Sequence, residues 1–294
     1  MYVVIGASGN TGKAVAEKLL AAGKEVKVVG RNAEHLQPFV DRGATPAVGS
    51  LEDVDFVQNA LKGATAAYVM IPPNFGAENF RGYYNLIGDN LIAALKDNGV
   101  RHAVFLSSLG AELSEGTGPI LGLGDVEKKL NQIEGLNIVH LRAGFFMENL
   151  YAGLDLIKNM GIMGSPLRGD LPVYMVATRD IGEHAAKRLL AMDFSGKNYD
   201  AIVGPRKLTM NEATTILGKA IGKDDLQYVQ FPYEEAEKAF LEMGMSPDVA
   251  RTFIEMYRSF NEGVHIAPTA QDQLYQGTTS IEEFARGFAA AYNA

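Results

Sequence analysis

Short apolar runs alternate with longer amphipathic segments over the first half of the chain. The runs predict β-strands that are buried on both faces, as in a parallel sheet covered by helices. They lie at Tyr2–Ile5, Val26–Val29, Ala44–Val48, Ala66–Ile71, His102–Leu106 and Asn137–Leu141. Strands that alternate with helices indicate right-handed βαβ units, so the pattern predicts an α/β fold with a doubly wound parallel sheet.

The clearest helical pattern runs from Ala77 to Asn98. Its apolar positions recur every three or four residues, at Phe80, Tyr84, Ile87, Leu91 and Leu95. This spacing places them on one stripe, which we expect to face the sheet. The helix is expected to end before Gly99, since glycine is common just past a helix C-terminus.

The second half of the chain contains fewer strand patterns. Val173–Val176 and Tyr199–Val203 predict short strands, and helices dominate the rest. Helix starts are marked by two capping boxes and by a serine cap followed by proline, at Thr209–Glu212, Ser280–Glu283 and Ser246–Pro247. We therefore predict a smaller, mostly helical C-terminal lobe over residues 151–294, packed against the first 150 residues and partly interleaved with them.

A glycine-rich turn, Gly6-Ala-Ser-Gly-Asn-Thr-Gly12, directly follows the first strand and precedes a helical pattern. Gly6 permits a tight turn, Gly9 lets the backbone approach phosphates, and Gly12 lets the helix pack close to the strand. A pyrophosphate would then face free N–H groups at the positive end of the helix. An ordinary glycine-rich turn is the alternative. The order of strand, turn and helix favours a Rossmann-type NAD(P)-binding domain over residues 1–150.

Ligands of open parallel sheets bind at the carboxyl ends of the strands. The residues that follow the predicted strands are therefore expected to form one cleft. Its expected cofactor-binding residues are Gly6, Ser8, Gly9, Asn10, Thr11, Gly12, Arg31, Ile71, Pro72, Pro73, Ser107, Phe145, Phe146 and Asn149. Phe75, Ser108 and Tyr174 are the candidates for a substrate pocket.

Arg31 stands at the end of the second strand, where an acidic residue would bond the ribose 2′-hydroxyl of NAD(H). A guanidinium there suits a 2′-phosphate, so NADP(H) is favoured over NAD(H). The alternative is a solvent-exposed arginine that opens the next helix.

The other candidates each have a structural alternative. The hydroxyls of Ser107 and Ser108 either contact the nicotinamide or a substrate carbonyl, or satisfy backbone groups at the strand end. The aromatic rings of the cleft either stack on a flat acceptor or belong to the packing. Asn149 either bonds the cofactor or substrate, or has no such role.

Composition excludes several classes of function. The 294 residues are 47% apolar, which permits a sizeable core, and carry a net charge of −8 without a basic run, which argues against nucleic-acid binding. The absence of cysteine excludes disulfides and thiolate chemistry. No His/Asp/Glu spacing suggests a metal site, and no apolar run approaches the ~18–20 residues of a membrane span. With a strand starting at Tyr2 there is no room for a signal peptide, so a cytoplasmic protein is expected.

Four segments together resemble the NmrA-like family of atypical short-chain dehydrogenase/reductases: Gly6–Gly12, Gly30–Asn32, Ser107–Ala111 and Leu141–Leu150. The resemblance implies an NADP(H)-binding Rossmann scaffold. The family includes NADPH-dependent quinone and dye reductases, and regulators that bind NADP to sense redox state. Relatives often carry Asp where this chain has Ser50, which places Ser50 and Leu51 among the expected cofactor-binding residues.

The chain departs from the pattern of typical short-chain dehydrogenases. No tyrosine has a lysine four residues later, and Leu123 stands where family members often carry Lys or His. Reduction of a simple ketone needs a proton donor in the transition state, and sugar-nucleotide epimerisation needs the Tyr/Lys pair. Hydride transfer to a quinone needs little beyond alignment of the nicotinamide. The hypotheses are thus an NADPH-dependent reductase of quinones or similar flat acceptors, and a non-catalytic NADP(H) sensor that regulates a partner protein.

Overall fold

The structure is a computed structural model that describes residues 1–264 and 266–294. The strands are β1 (Tyr2–Ile5), β2 (Val26–Gly30), β3 (Thr45–Val48), β4 (Ala66–Val69), β5 (His102–Ser108), β6 (Asn137–Ala143), β7 (Phe145–Phe146), β8 (Ile162–Ser165), β9 (Val173–Val176), β10 (Lys197–Val203), β11 (Lys207–Leu208), β12 (Gln227–Gln230) and β13 (Gln273–Gln276). The helices are α1 (Asn10–Ala21), α2 (Ala33–Val40), α3 (Val54–Leu61), α4 (Phe80–Asp97), α5 (Leu121–Leu130), α6 (Leu154–Met160), α7 (Thr178–Ala191), α8 (Met210–Ala220), α9 (Tyr233–Glu242), α10 (Pro247–Asn261) and α11 (Ile281–Asn293). Short 3₁₀ turns lie at Gly118–Ile120 and Met147–Gly153.

Among the described residues, eight parallel strands form the main sheet in the order β13-β10-β6-β5-β4-β1-β2-β3. Strand β1 lies between β2 and β4, with Tyr2 paired to both Val26 and Ala66. The strand order therefore reverses at β1, which is the switch point where such sheets bind ligands. This topology confirms the predicted α/β fold with a doubly wound parallel sheet.

Helices cover both faces of this sheet. Successive residues of β1 point to opposite sides, so Val4 packs with α1, α2 and α7, whereas Val3 and Ile5 pack with α3, α4 and α5. The apolar stripe of α4 packs entirely on the face of the sheet that includes Val3 and Ile5, as its spacing predicts. Helix α4 begins at Phe80, later than expected, because the Asn79 side chain caps it by accepting a hydrogen bond from the Gly82 N–H.

Two strands from beyond residue 150 belong to the main sheet. The predicted strand at Tyr199–Val203 is part of β10, which pairs with β6, and β13 pairs with β10 at the edge. The described residues also form two short sheets, β11-β9-β7 and β12-β8, of which only β7 lies before residue 150. The division at residue 150 stays a prediction, but the sheet itself is built from both parts of the chain.

Each of the three predicted caps starts a helix, but the described Ser280–Glu283 pair forms only one of the two hydrogen bonds of the predicted capping box. Thr209 and Glu212 form a reciprocal capping box at α8. The Ser246 and Ser280 hydroxyls cap α10 and α11 by accepting hydrogen bonds from backbone N–H groups three residues later. Helices α8 and α11 pack together over a core that includes Leu217 and Phe288.

Candidate functional site

The turn after β1 has the backbone geometry of a phosphate-binding turn. Gly6 has a φ of 69°, in the left-handed region that favours glycine, and its carbonyl accepts a hydrogen bond of 2.9 Å from the Gly9 N–H. An ideal Cβ on Gly12 would lie 2.2 Å from the Gly6 oxygen, so only glycine lets α1 start this close to β1. The N–H groups of the first turn of α1 thus lie beside the carboxyl end of the central strand.

Buried contacts fix the start of α1 from below. The Tyr68 hydroxyl of β4 donates a 2.9 Å hydrogen bond to the Thr11 hydroxyl, and both side chains are buried. Burial raises the pKa of Tyr68, which keeps the phenol protonated, although the hydrogen bond to Thr11 acts in the opposite direction. On the other side, Gly182 of α7 packs against the Thr11 carbonyl. The Thr11 side chain therefore holds the turn in place and points into the protein.

A cavity of about 210 Å³ opens above the turn, at the carboxyl ends of β1 to β4. It is lined by Ile5, Gly6, Ser8, Gly9, Val29, Gly30, Arg31, Gly49, Ser50, Leu51, Glu52, Met70, Pro72 and Tyr83. Seven predicted cofactor-binding residues therefore meet there: Gly6, Ser8, Gly9, Arg31, Ser50, Leu51 and Pro72. Another cavity, of about 400 Å³, lies beside the first residues of β6 and β10, at the end of the sheet opposite the one where parallel sheets bind ligands.

Arg31 supplies a positive charge at the edge of the cavity. It follows the last residue of β2, and Asn32 caps α2 by accepting a 2.8 Å hydrogen bond from the Glu34 N–H. The Arg31 side chain is exposed and forms no ion pair with the residues that the structure describes. It therefore remains available to an anionic group in the cavity.

Five lining side chains were not predicted as site residues from the sequence: Ile5, Val29, Glu52, Met70 and Tyr83. Ile5 and Val29 are buried strand residues of the core. Burial raises the pKa of Tyr83, the Glu52 carboxylate raises it further, and the Arg31 guanidinium opposes the rise. Both charges therefore act on the Tyr83 hydroxyl. Nothing in the local pattern singled out Tyr83, since it is one position away from Tyr84 on the apolar stripe of α4.

Several predicted residues lie outside the lining of this cavity. Asn10 is exposed at the first position of α1, Pro73 is exposed, and Ile71 is buried in the core beside α4. Phe75 is 43% exposed and packs against Phe253 of α10, with ring centroids 6.0 Å apart. Their roles toward a ligand stay predictions.

The two serines at the end of β5 have partners within the protein. The Ser107 hydroxyl is buried and donates a 2.5 Å hydrogen bond to Oε1 of Glu127. The Ser108 hydroxyl donates to the Leu109 carbonyl at 2.9 Å. Ser107 faces α5, because it lies on the same side of the strand as Phe105. Any contact of these hydroxyls with a cofactor would have to compete with these bonds.

Arg142 of β6 organises a buried charged cluster around Glu127. Its guanidinium bonds the Glu127 carboxylate through two nitrogens, at 3.1 and 2.7 Å. It also lies 3.2 Å from Asp272 and 3.4 Å from Glu112, and its carbon is 4.4 Å from the centre of the Tyr199 ring. This cluster ties β6, α5 and the segment before β13 together beside the carboxyl ends of the strands.

The aromatic residues expected in the cleft are engaged in packing. Phe145 and Phe146 form β7, which pairs with β9. Tyr174 packs against the buried cluster of Leu109, Ala201 and Val203, and the Lys207 ammonium lies 4.5 Å from the centre of its ring. Asn149 is exposed in the 3₁₀ turn. Their predicted roles in cofactor or substrate binding remain predictions.

Leu123 lies in the first turn of α5 and is half-buried against the apolar cluster beneath α4. The next residue, Gly124, packs so closely on the Ala111 carbonyl that an ideal Cβ would lie 2.2 Å from its oxygen. An isobutyl side chain cannot donate or accept a proton. Any proton needed in a reaction must therefore come from another group or from water.

The sheet topology, the turn and the cavity at the switch point define an α/β protein of the Rossmann type. The chain belongs to the NmrA-like family, whose model matches residues 2–285. No helix within residues 1–264 and 266–294 combines the length and apolar character needed to cross a membrane.

Solved structures share the fold along nearly the whole chain. The NADPH-dependent quinone oxidoreductase of Escherichia coli has a TM-score of 0.77 at 21% identity, covering 98% of this chain and 99% of that one. It has also been solved in complex with NADPH. NmrA, a negative transcriptional regulator solved in complex with NADP, has a TM-score of 0.72 at 16% identity, covering 99% and 95%. At these identities the likeness shows the fold alone.

A curated relative matches part of the chain by sequence. Prestalk A differentiation protein A from Dictyostelium discoideum is 28% identical over 174 residues, which are 58% of this chain and 54% of that protein. The aligned part thus spans about half the length of this relative.

Proposed function

We propose that this protein binds NADP(H) at the turn after β1 and passes a hydride to a quinone or a similar flat acceptor. The observation that carries the proposal is the cavity that brings Gly6, Gly9 and Arg31 together at the switch point of the sheet. The turn offers backbone N–H groups to a pyrophosphate, and the guanidinium offers a charged partner to a 2′-phosphate. The E. coli quinone oxidoreductase and NmrA, both solved with this dinucleotide, support the choice of cofactor.

Bound NADPH would supply a hydride from its nicotinamide ring. With one proton, this hydride would convert a quinone to a hydroquinone, and the cofactor would leave as NADP⁺. The chain contributes binding and alignment, because the quinone is already a strong electron acceptor and needs no positioned acid. The half-buried Leu123 and the missing Tyr/Lys pair are compatible with this reaction, since the proton can come from water.

A second candidate function is a redox sensor that binds NADP(H) without turnover. It is favoured by the packing of Tyr174 against the cluster of Leu109, Ala201 and Val203, which fills space beside the end of β5. In this case the cofactor would change the affinity of a partner protein. The likeness to the regulator NmrA supports it at the level of fold.

NADPH oxidation against a panel of benzoquinones, naphthoquinones and triphenylmethane dyes tests the proposal. We expect turnover well above the rate without protein for at least one acceptor, with NADPH preferred to NADH. Tight NADPH binding without turnover on any acceptor would contradict the reductase and favour the sensor. In that case, partner affinity should differ between NADP⁺ and NADPH.

A further inference from the structure

Tyr83 of α4 packs partly against the core beside α4 and also lines the cavity. It is half-buried and lines the cavity together with Leu51, Met70 and Pro72, whereas its neighbour Tyr84 is buried in the core. The two rings meet edge-on, with centroids 6.3 Å apart and an interplanar angle of 74°. Tyr84 therefore anchors the helix, and the ring of Tyr83 remains at the cavity wall.

Helix α4, which carries Tyr83, is hydrogen-bonded to the loop after β3. The Asn90 side chain, about two helical turns further along α4, donates hydrogen bonds to the carbonyls of Leu51 at 2.9 Å and Glu52 at 3.2 Å. Arg81 also ties α4 to α5 through Asp125, at 2.6 and 2.7 Å. The spacing between the ring and the loop after β3 is thus set before any ligand binds, as a binding site requires.

The composition of this part of the cavity fits a planar base attached to a phosphorylated sugar. Leu51, Met70, Pro72 and Tyr83 contribute apolar surface to the lining, and Arg31 lies at the edge with its positive charge. Ser50 and the Glu52 carboxylate add polar groups to the same lining. Aromatic side chains bind nucleobases by face or edge contact, largely independently of the base's hydrogen-bonding groups.

We propose that the Tyr83 ring binds the adenine base of NADP(H) and acts independently of the 2′-phosphate contact at Arg31. This assignment rests on the proposed function, because it needs a dinucleotide in the cavity. It makes Tyr83 a determinant of affinity for both NADPH and NADH, and Arg31 the determinant of the preference between them.

Direct titration of NADPH and NADH, by calorimetry or nicotinamide fluorescence, tests the assignment with no need for activity. Tyr83→Ala should weaken the binding of both dinucleotides by the same factor, about tenfold. Tyr83→Phe keeps the ring and should stay within about twofold of the wild type for both. Tyr83→Leu keeps apolar contact with the core and should behave like Tyr83→Ala. Leu86→Ala, one turn further along α4 at a position 49% exposed, is the matched control and should change neither affinity.

Three results would overturn the assignment. Loss of NADPH binding alone in Tyr83→Ala would mean that the residue contacts the phosphate. Equal losses in Tyr83→Phe and Tyr83→Ala would assign the effect to the hydroxyl. Unchanged affinities in Tyr83→Ala and Tyr83→Leu would mean that the base lies elsewhere. If the wild type binds neither dinucleotide, the proposed function fails first and this inference with it.

Discussion

Alanine substitutions at two glycines of the turn after β1 should have different effects: Gly12→Ala should lower the stability of the fold, whereas Gly9→Ala should weaken dinucleotide binding. Gly12→Ala would place a Cβ 2.2 Å from the Gly6 oxygen and 2.7 Å from the Gly6 carbonyl carbon, both backbone atoms. The Gly6 carbonyl cannot rotate away, because it accepts the Gly9 N–H bond. Gly9→Ala instead places its Cβ 3.3 Å from the same oxygen, at a φ of −85° that alanine adopts readily.

These contacts set the expected magnitudes. Alanine in place of glycine inside a helix would ordinarily add about 1 kcal/mol of stability. At Gly12, displacement of the backbone should outweigh this gain, so we expect the free energy of unfolding to fall by about 3 kcal/mol. At Gly9, alanine is a poorer helix cap than glycine, which lowers the stability, but it also reduces the entropy of the unfolded chain, which raises it. Because the two effects nearly cancel, the free energy of unfolding should stay within about 1 kcal/mol of the wild type.

Binding should show a different result for Gly9. Its backbone lines the cavity, so a methyl group there occupies space that a phosphate needs. We expect Gly9→Ala to keep the wild-type midpoint in urea and to weaken NADPH binding at least about tenfold, or 1.4 kcal/mol. Unfolding curves and NADPH titrations on both variants provide the measurement. A Gly9→Ala protein that is as stable as the wild type and binds NADPH equally well would refute this use of the turn.

The remaining predictions concern charge. Arg31→Ala should weaken NADPH binding by about 1.5 kcal/mol and leave NADH binding unchanged. This value is at the lower end for a charged hydrogen bond because the Arg31 side chain is exposed. Equal losses in titrations of both dinucleotides would contradict the phosphate contact. Arg142→Met should lower the free energy of unfolding, measured in urea, by about 3–5 kcal/mol, because it leaves buried carboxylates unpaired. Arg206→Met, which removes an exposed ion pair, is the control and should lower it by less than about 1 kcal/mol. Burial, with Arg142 and Lys197 nearby, lowers the pKa of His140 to about 3. Since this value lies below the usual 6.5, the neutral ring stabilises the fold above pH 6.5, and that stability is lost as the pH falls from 6.5 toward 3. The free energy of unfolding should therefore fall more steeply with acid in the wild type than in His140→Gln, by up to about 1.4 kcal/mol per pH unit, and parallel curves would show that His140 does not titrate this way.

Local patterns sufficed for the central sheet and the turn. The strands β1, β2, β4, β5 and β6 are buried on both faces, so their apolar runs stand out in the sequence. Gly9 and Gly12 satisfy steric demands set by Gly6, only a few positions away. Such features can be predicted from the sequence because the cause and the affected residue are neighbours in the chain.

Features built by distant segments could not be predicted in this way. Strand β13, Gln273–Gln276, has polar residues at both ends and is mostly exposed, and only its pairing with the distant strand β10 makes it part of the sheet. Ser107 looked like a ligand contact because of its place after a strand, but Glu127 on the next helix accepts its hydrogen bond. Tyr83 reaches the cavity through the placement of α4 against the loop after β3. No sequence period encodes these long-range contacts.

We propose that the cavity at the switch point binds NADP(H) and distinguishes it from NAD(H) by its 2′-phosphate. Calorimetric titration of the unaltered protein with NADPH and with NADH, at the same low ionic strength, tests it most directly. We expect saturable binding of one NADPH per chain, about tenfold or more tighter than that of NADH. Absence of binding, or equal affinity for the two dinucleotides, would contradict it.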